Sequence, residues 1–229
     1  MNKTLAVIAA FSLIQLSSFA GSLTGSVHFT KPAPKAAEIK MAADPVCAKE
    51  NAGKKVMDES VVVNGNKTLA NVFVYVKEGM KKEGIPAAPT TPVKFDQNGC
   101  RYTPHVVGVR VGQPFQIINS DAVLHNVHSM AKTNAPFNMG MATKGQTLDK
   151  KFTKPETMVK IKCDVHGWMN AYVGVLDHPY FAVTDAQGSF NIEGLPAGEY
   201  TIEAWHEKLG TKTEKVKVAD AVGKVDFSF

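Results

Sequence analysis

A thiol, two imidazoles and a thioether lie close together along one part of the chain. Cys163, His166 and Met169 stand at every third position, and His125 precedes them. A short loop that leaves a strand can direct the first three side chains at one point, while His125 arrives from a neighbouring strand. A thiolate, two imidazoles and a weak axial thioether are the donors of a type 1, or blue, copper site. The residue types therefore predict a site for one-electron chemistry.

Zinc is the main competitor for this set of residues. The pair Cys163 and His166 alone is also compatible with zinc, but structural zinc sites prefer four Cys or His donors, and the thioether of Met169 is a poor zinc ligand. The complete set favours one copper ion. A zinc site and a metal-free core remain the alternatives.

Two histidines lie in the upstream segment, His125 and His128, and only one is predicted to be a ligand. Positions three apart on a regular strand point to opposite faces. His125 is favoured because it follows the strand end at Asn119 to Leu124, and His128 is predicted to be a surface imidazole beside the site. The remaining histidines lack ligand spacing and are predicted to be surface or loop residues: His28, His105, His178 and His206. For His105 and His206, the alternative is a second metal site.

The chain has three cysteines, an odd number for a protein from an oxidising compartment. Cys163 alone stands among residue types that bind metal. We therefore expect a disulfide between Cys47 and Cys100 and a free thiolate at Cys163. The alternative is a disulfide that includes Cys163, because connectivity cannot be read from sequence.

Alternating apolar residues dominate the chain, and helical periodicity is scarce, so the fold is predicted to be all-β. Val159, Ile161 and Cys163 share one face of a predicted strand. This alternation directs the Cys163 sulfur towards the core. Residues 129–145 lack alternation and are predicted to form a loop.

The first twenty residues are typical of a secretory signal peptide. Lys3 precedes an apolar stretch from Leu5 to Leu16, and small residues follow up to Ala20. The apolar run is too short to span a bilayer, and no later stretch predicts a transmembrane segment in the mature chain. We expect a periplasmic or secreted protein. The formal net charge of +5 is mild and forms no basic stripe, so nucleic acid is not an expected partner.

The order His125-Asn126-Val127 followed by Cys163-x-x-His166-x-x-Met169 resembles the plastocyanin and amicyanin group of cupredoxins, and the two-residue gap before Met169 is similar to that of amicyanin. The resemblance covers Val93 to about residue 177 and implies a Greek-key β-sandwich. It implies that His125, Cys163 and His166 are the trigonal ligands of copper and Met169 the axial one.

The same resemblance assigns roles to residues beside the ligands. The Asn126 amide would bridge to the Cys163 loop, and its backbone N–H would reach the sulfur. The His166 ring would reach the surface, where Trp168 could form part of an apolar docking patch for a redox partner. The alternative for Trp168 is that it covers the core.

A second resemblance lies outside this region. The run from Thr184 to Tyr200, with Gly194-Leu195-Pro196-Ala-Gly198 near its end, is similar to carboxypeptidase regulatory-like domains, which are transthyretin-like β-sandwiches. Gly25-Ser-Val27 and Val72-Phe-Val74 match the strands that open such domains. The predicted organisation is a signal peptide (1–20), an N-terminal β segment with a long loop (21–92), a cupredoxin domain (93–178) and the remaining regulatory-like strands (179–229). The second sandwich would thus be split by the cupredoxin.

The expected function is that of an exported blue copper protein that carries single electrons to or from a partner such as a cytochrome or dehydrogenase. One alternative is a periplasmic protein that binds or sequesters copper. Another is a surface interaction module in which the metal is structural. An enzyme is not expected, because copper oxidases and nitrite reductases need a second, His-rich copper centre.

Overall fold

A computed structural model describes residues 21–219 and 222–229 of this chain. The predicted signal peptide at residues 1–20 lies outside the described residues. The all-β prediction is confirmed, because almost every regular element in the described part of the chain is a strand, and the one helix found there is the short α1 (Pro45–Glu50). Within the described ranges, no helix has the length and apolar character needed to cross a membrane.

Strands from the middle of the chain form one β-sandwich, here called the central sandwich. Its strands are β3 (Val93–Gln97), β4 (Tyr102–Thr103), β5 (Val106–Arg110), β6 (Phe115–Asn119), β7 (His125–Ser129), β8 (Phe137–Met141), β9 (Thr147–Lys150), β10 (Glu156–Lys162) and β11 (Asn170–Leu176). They form a five-stranded sheet with the order β5-β11-β10-β7-β8 and a four-stranded sheet with the order β4-β3-β6-β9.

Strands from both ends of the described chain form a second sandwich, here called the terminal sandwich. These strands are β1 (Gly21–His28), β2 (Phe73–Glu78), β12 (Phe181–Val183), β13 (Ser189–Leu195), β14 (Gly198–His206), β15 (Gly210–Val218), β16 (Val222–Lys224) and β17 (Phe227–Ser228). One sheet holds β1 with β13, β16 and β17, and the other has the order β12-β2-β14-β15. The strand that carries Val27 therefore pairs with C-terminal strands. The boundaries of independently folding domains stay a prediction.

The core of the central sandwich follows the predicted alternation. Val159, Ile161 and Cys163 are buried, whereas Lys160 between them is exposed. The prediction of a loop over 129–145 is wrong in part, because β8 pairs with β7 along residues 137–141. Only the last residue of β8 is fully buried, and this edge strand therefore carries no alternation that the sequence could reveal.

Strand β2 is buried on both faces. Val74 and Val76 point into the core of the terminal sandwich, while Phe73 and Tyr75 lie in a third apolar cluster with Val106 of the central sandwich. An alternating strand normally leaves one face to solvent. Here both faces are covered, so β2 is one of the strands through which the two sandwiches pack together.

In the central sandwich, two glycines allow aromatic rings of the terminal sandwich to approach the backbone closely. Gly108 on β5 and Gly174 on β11 are direct partners in the sheet. A Cβ at Gly108 would lie 2.1 Å from the Phe181 ring, and one at Gly174 would lie 2.4 Å from the Phe73 ring. These two rings stack with centroids 5.6 Å apart. The paired glycines thus provide a flat surface on which both rings lie.

Three of the histidines predicted to be surface or loop residues are buried. His105 and His178 do lie in loops, whereas His206 is the last residue of β14. His105 lies 2.5 Å from the Glu207 carboxylate, which links the central to the terminal sandwich. The Nδ1 of His178 accepts the N–H of Tyr180 at 3.2 Å, and the Nδ1 of His206 accepts the N–H of Lys208 at 3.1 Å. Hydrogen-bonded burial of this kind leaves no sign in sequence spacing.

Replacement of Gly174 by alanine should destabilise the protein. The new Cβ would overlap the fully buried Phe73 ring, and forced overpacking costs about 1–3 kcal/mol. Urea unfolding followed by circular dichroism should show this loss for Gly174→Ala. Gly65→Ala is the matched control, because nothing lies within 4 Å of that position. Equal stability of the two variants would contradict the close packing described here.

Stability should fall in mild acid because of His178 and His206. Burial is the largest effect on each, and it lowers both pKa values to about 4. An unfolded histidine has a pKa near 6.5, so the unfolded state binds more protons below that pH. The contribution to stability is complete above about pH 6.5 and is lost as the pH falls towards 4, by up to about 3 kcal/mol for each residue. His206→Asn should flatten this pH dependence, whereas His28→Asn, at an exposed position, should leave it unchanged. Parallel curves for all three proteins would refute the assignment.

Candidate metal centre

The sequence-predicted ligands come from two strands of the five-stranded sheet. His125 is the first residue of β7, and Cys163 directly follows β10, the neighbouring strand. The loop after Cys163 folds back on itself. The Cys163 N–H donates to the Met169 carbonyl at 3.1 Å, and the Met169 N–H donates to the His166 carbonyl at 2.9 Å. This turn keeps Met169 buried in the same core cluster as Cys163.

The sulfur and the two imidazoles converge at one point. The Nδ1 atoms of His125 and His166 are 2.9 Å apart, and the Cys163 Sγ lies 3.9 Å from the His166 Nδ1. One potential ligand atom from each of the three residues lies within 4.8 Å of the others. All three side chains are at most 2% exposed. The arrangement is therefore a buried pocket of one sulfur and two nitrogens.

A carboxylate holds the outer edge of each imidazole. The Asp121 Oδ2 lies 2.9 Å from the His125 Nε2, and the Asp44 Oδ2 lies 3.0 Å from the His166 Nε2. Since a carboxylate only accepts hydrogen bonds, each Nε2 carries the hydrogen. When the rings are neutral, as metal binding requires, each Nδ1 presents its lone pair towards the pocket. The carboxylates thus select the tautomer that a metal requires.

Sequence analysis missed both carboxylates, although signals for them exist. Asp44 precedes Pro45, and this pair is typical of a helix N-terminus. Asp121 stands four residues before His125, at the strand end. It also accepts the N–H groups of Gly99 and Cys100, both at 2.8 Å. The helix signal predicts a cap, but it does not predict a contact with a residue 122 positions away.

Asn126 holds the Cys163 loop from the neighbouring strand. Its side-chain oxygen accepts the N–H of Asp164 at 2.6 Å and the N–H of Val165 at 3.3 Å, and it lies 3.3 Å from the Cys163 Sγ. The sulfur also accepts the N–H of His166 at 3.3 Å. These contacts fix the sulfur and its loop before any metal binds.

The pocket favours a charged sulfur. Burial by itself would raise the pKa of the Cys163 thiol, but hydrogen bonds from His125 and from the backbone N–H groups of Asn126, His166 and Val165 lower it on balance. For His125, burial would lower the pKa, but the Asp121 hydrogen bond and the nearby sulfur raise it to about 9. In the metal-free site, His125 is therefore cationic at neutral pH, and its charge favours the ionised form of the Cys163 sulfur.

This pocket fits a metal ion. Two Nδ1 lone pairs at 2.9 Å would repel each other, so a hydrogen lies between them in the metal-free protein. A cation could take the place of that hydrogen and meet both nitrogens and the sulfur. The combination of a soft thiolate with imidazoles suits copper or zinc, and a buried thioether in the same loop favours copper.

The surroundings of the site differ from the expectation in one respect. The resemblance implied that the His166 ring reaches the surface, but this ring is only 2% exposed. Trp168 is half-buried, its ring centroid is 4.9 Å from that of His166, and its Nε1 donates to the Cys100 carbonyl at 3.0 Å. His128 lies beside the site, where its Nδ1 is 2.8 Å from the Asp164 carboxylate.

The expected disulfide is present. Cys47 in α1 is bonded to Cys100, and Cys163 is a free, buried cysteine. The alternative pairing that includes Cys163 is therefore wrong. The disulfide lies next to the pocket, since the Cys47 Sγ is 3.8 Å from the His166 Nε2.

Searches against solved structures find similarity in copper proteins. A copper-containing nitrite reductase from Thermus scotoductus SA-01 is 21% identical, with a TM-score of 0.35, over 43% of this chain and 25% of its own. A purple cupredoxin from Nitrosopumilus maritimus is 21% identical over 36% of this chain and 97% of its own, with a TM-score of 0.31. An oxidised proline-to-glycine variant of amicyanin is 25% identical over 44% of this chain and 97% of its own, with a TM-score of 0.33.

No family model matches the chain, and no curated protein sequence does so either. The chain spans about a quarter of the length of the nitrite reductase. All three solved structures match less than half of this chain.

Asn126→Ala should loosen the Cys163 loop. The variant loses the side-chain acceptor for two partly buried backbone N–H groups, and the net loss of a hydrogen bond costs about 0.5–1.5 kcal/mol. We expect a lower free energy of unfolding and faster amide exchange at Asp164 and Val165. Asn191→Ala is the control, because this exposed side chain lies in the terminal sandwich, where it donates to Glu193. Unchanged exchange at both amides in Asn126→Ala would contradict the role of this side chain.

Proposed function

We propose that this protein binds one type 1 copper ion through His125, Cys163, His166 and Met169 and carries single electrons. The observation that carries the proposal is the convergence of the Cys163 sulfur and two imidazole Nδ1 atoms in one buried pocket. Copper, when bound, would supply a one-electron couple between Cu(I) and Cu(II).

The surrounding residues support fast transfer because they hold the donors in one arrangement. The imidazoles are fixed from outside by carboxylates, and the sulfur is fixed by backbone N–H groups and by Asn126. A site whose donors move little between two oxidation states needs little reorganisation for each transfer. Burial also keeps water away from the donors, which supports a role in transfer over one in substrate binding.

The partner of this carrier is proposed to be another redox protein, such as a cytochrome or a dehydrogenase, in the periplasm or outside the cell. Exposed apolar side chains near the proposed ligands support docking. They are those of Leu124, Val165 and Met139, the last on the strand that pairs with β7. Leu124 and Val165 directly adjoin His125 and His166 in the chain. Trp168 is a weaker candidate for this surface than predicted, because it is half-buried against Cys100.

Copper sequestration is the second candidate. The buried donor set and the closed His166 edge favour slow release of copper, which a storage protein also needs. The reduction potential separates the two functions, since a carrier requires one between those of its donor and acceptor. The proposal is of a carrier and not of an enzyme, so sustained turnover of a small molecule by the copper-loaded protein would contradict it.

The purified, copper-loaded protein should be intensely coloured. A thiolate bound to Cu(II) gives a strong charge-transfer band in the visible range, and paramagnetic resonance should show the small copper hyperfine splitting of a type 1 site. Cys163→Ser and His125→Gln should abolish the band. His128→Gln should retain it, because this neighbouring histidine pairs with Asp164 outside the pocket. Stoichiometric copper without the band in the wild-type protein would rule out a type 1 site.

A further inference from the structure

The outer edge of His166 is covered by a segment that lies far away in the sequence. Asp44 and Cys47 both contact the His166 Nε2, at 3.0 Å and 3.8 Å, and the Trp168 ring lies beside the same imidazole. Asp44 itself is only partly buried. The layer between His166 and solvent is therefore about one side chain thick, and Asp44 is its polar member.

Asp44 has two structural roles at once. Its Oδ1 accepts the N–H groups of Val46 and Cys47, at 2.8 and 3.0 Å, and so caps the N-terminus of α1. Its Oδ2 accepts the hydrogen on His166 Nε2. One carboxylate thus joins the start of the helix to a proposed metal ligand. The helix cannot move without moving this acceptor.

Several contacts hold the helix against the central sandwich. The disulfide joins Cys47 to Cys100 across 53 positions of sequence. The Asn51 side chain donates to the Gly99 carbonyl at 3.1 Å, and Met41 is buried in the core of the central sandwich. Residues 41–51 are here called the cap segment. They belong in sequence to the part of the chain between β1 and β2, yet they pack on the metal pocket.

We propose that Asp44 is a positioning residue that fixes His166 in the ligand orientation, and that the cap segment closes this edge of the metal site against exchange. The second half of this inference rests on the proposed copper site, whereas the first half concerns the metal-free protein as well. The ligands do not depend on Asp44 for their identity. They depend on it for the direction in which the His166 Nδ1 points.

Loss of the Asp44 contact would affect His166 in two ways. With Nε2–H no longer held, the imidazole could carry its hydrogen on Nδ1, which cannot then bind a metal. The ring could also turn within the opened space. Loss of a hydrogen-bond partner of a ligating histidine typically costs 10–100-fold in metal affinity. We expect most of this loss in the rate at which the metal leaves, because the cap segment closes the path outward.

Two substitutions separate this contact from helix capping. Serine and asparagine both cap helices about as well as aspartate. Asp44→Ser can retain the cap, but its side chain is too short to reach His166. Asp44→Asn can cap through its oxygen, which leaves an NH₂ donor facing the Nε2 hydrogen. Lys49→Ala, an exposed position in the same helix, is the matched control.

The first measurement is made on the metal-free, full-length protein. Long-range ¹H–¹⁵N spectra of the histidine rings should show a slowly exchanging hydrogen on the His166 Nε2 in the wild type and in Lys49→Ala. In Asp44→Ser and Asp44→Asn this hydrogen should exchange fast or move to Nδ1. An unchanged His166 ring in both Asp44 variants would overturn the proposal, whether or not the protein binds copper.

The second measurement follows transfer of Cu(I) to a chelator in excess. Both Asp44 variants should release copper at least tenfold faster than the wild type, while Lys49→Ala should release it at the wild-type rate. Amide exchange at Val46 and Cys47 at the wild-type rate in the metal-free variants shows that the helix has kept its cap, because these two N–H groups are the ones that Asp44 accepts. Equal release rates with a changed His166 ring would overturn the closing role of the cap segment. A wild type that binds no copper would remove the proposed function but leave the result on the His166 ring in force.

Discussion

Each imidazole of the pocket gives its outer N–H to a carboxylate, and this pair of hydrogen bonds decides which nitrogens face the sulfur. The carboxylates are themselves fixed by backbone N–H groups. Asp121 is held by the N–H groups of Gly99 and Cys100, and Asp44 by those of Val46 and Cys47. The two cysteines in these turns are bonded to each other. The inner geometry of the pocket is therefore set by an outer layer of charge and backbone that the disulfide ties together.

The sequence could predict which residues line the inside of the pocket, because three of them lie close together on one loop. Three residues on one short loop, after a strand whose alternation points inward, leave few directions for the Cys163 sulfur. The outer layer could not be predicted in the same way. Asp44 lies 122 positions from His166, and nothing in either neighbourhood links them. For this reason the resemblance placed His166 at the surface, where the structure covers it.

The fold shows the same division between local and distant information. Alternation predicts an all-β chain correctly, since period two is a property of each strand alone. It does not reveal that β2 packs on both faces, because Phe73 and Tyr75 face a second sandwich and not solvent. It also misses β8, an edge strand whose side chains are mostly outside the core. The sequence also gives no sign of the roles of Gly108 and Gly174. These roles become visible only when the structure places the Phe181 and Phe73 rings against them.

The cap segment lies outside the stretch of sequence that holds the proposed ligands, so the pocket draws on two separate parts of the chain. All the proposed ligands lie within residues 125–169, but the carboxylate on His166 and one half of the disulfide lie before β2. A fragment that contains only the central strands would include every proposed ligand. In that fragment, Cys100 would lack its disulfide partner, and the His166 Nε2 would lack its carboxylate acceptor. The segment between β1 and β2 therefore supplies part of the lining of a pocket whose donor atoms all come from the central strands.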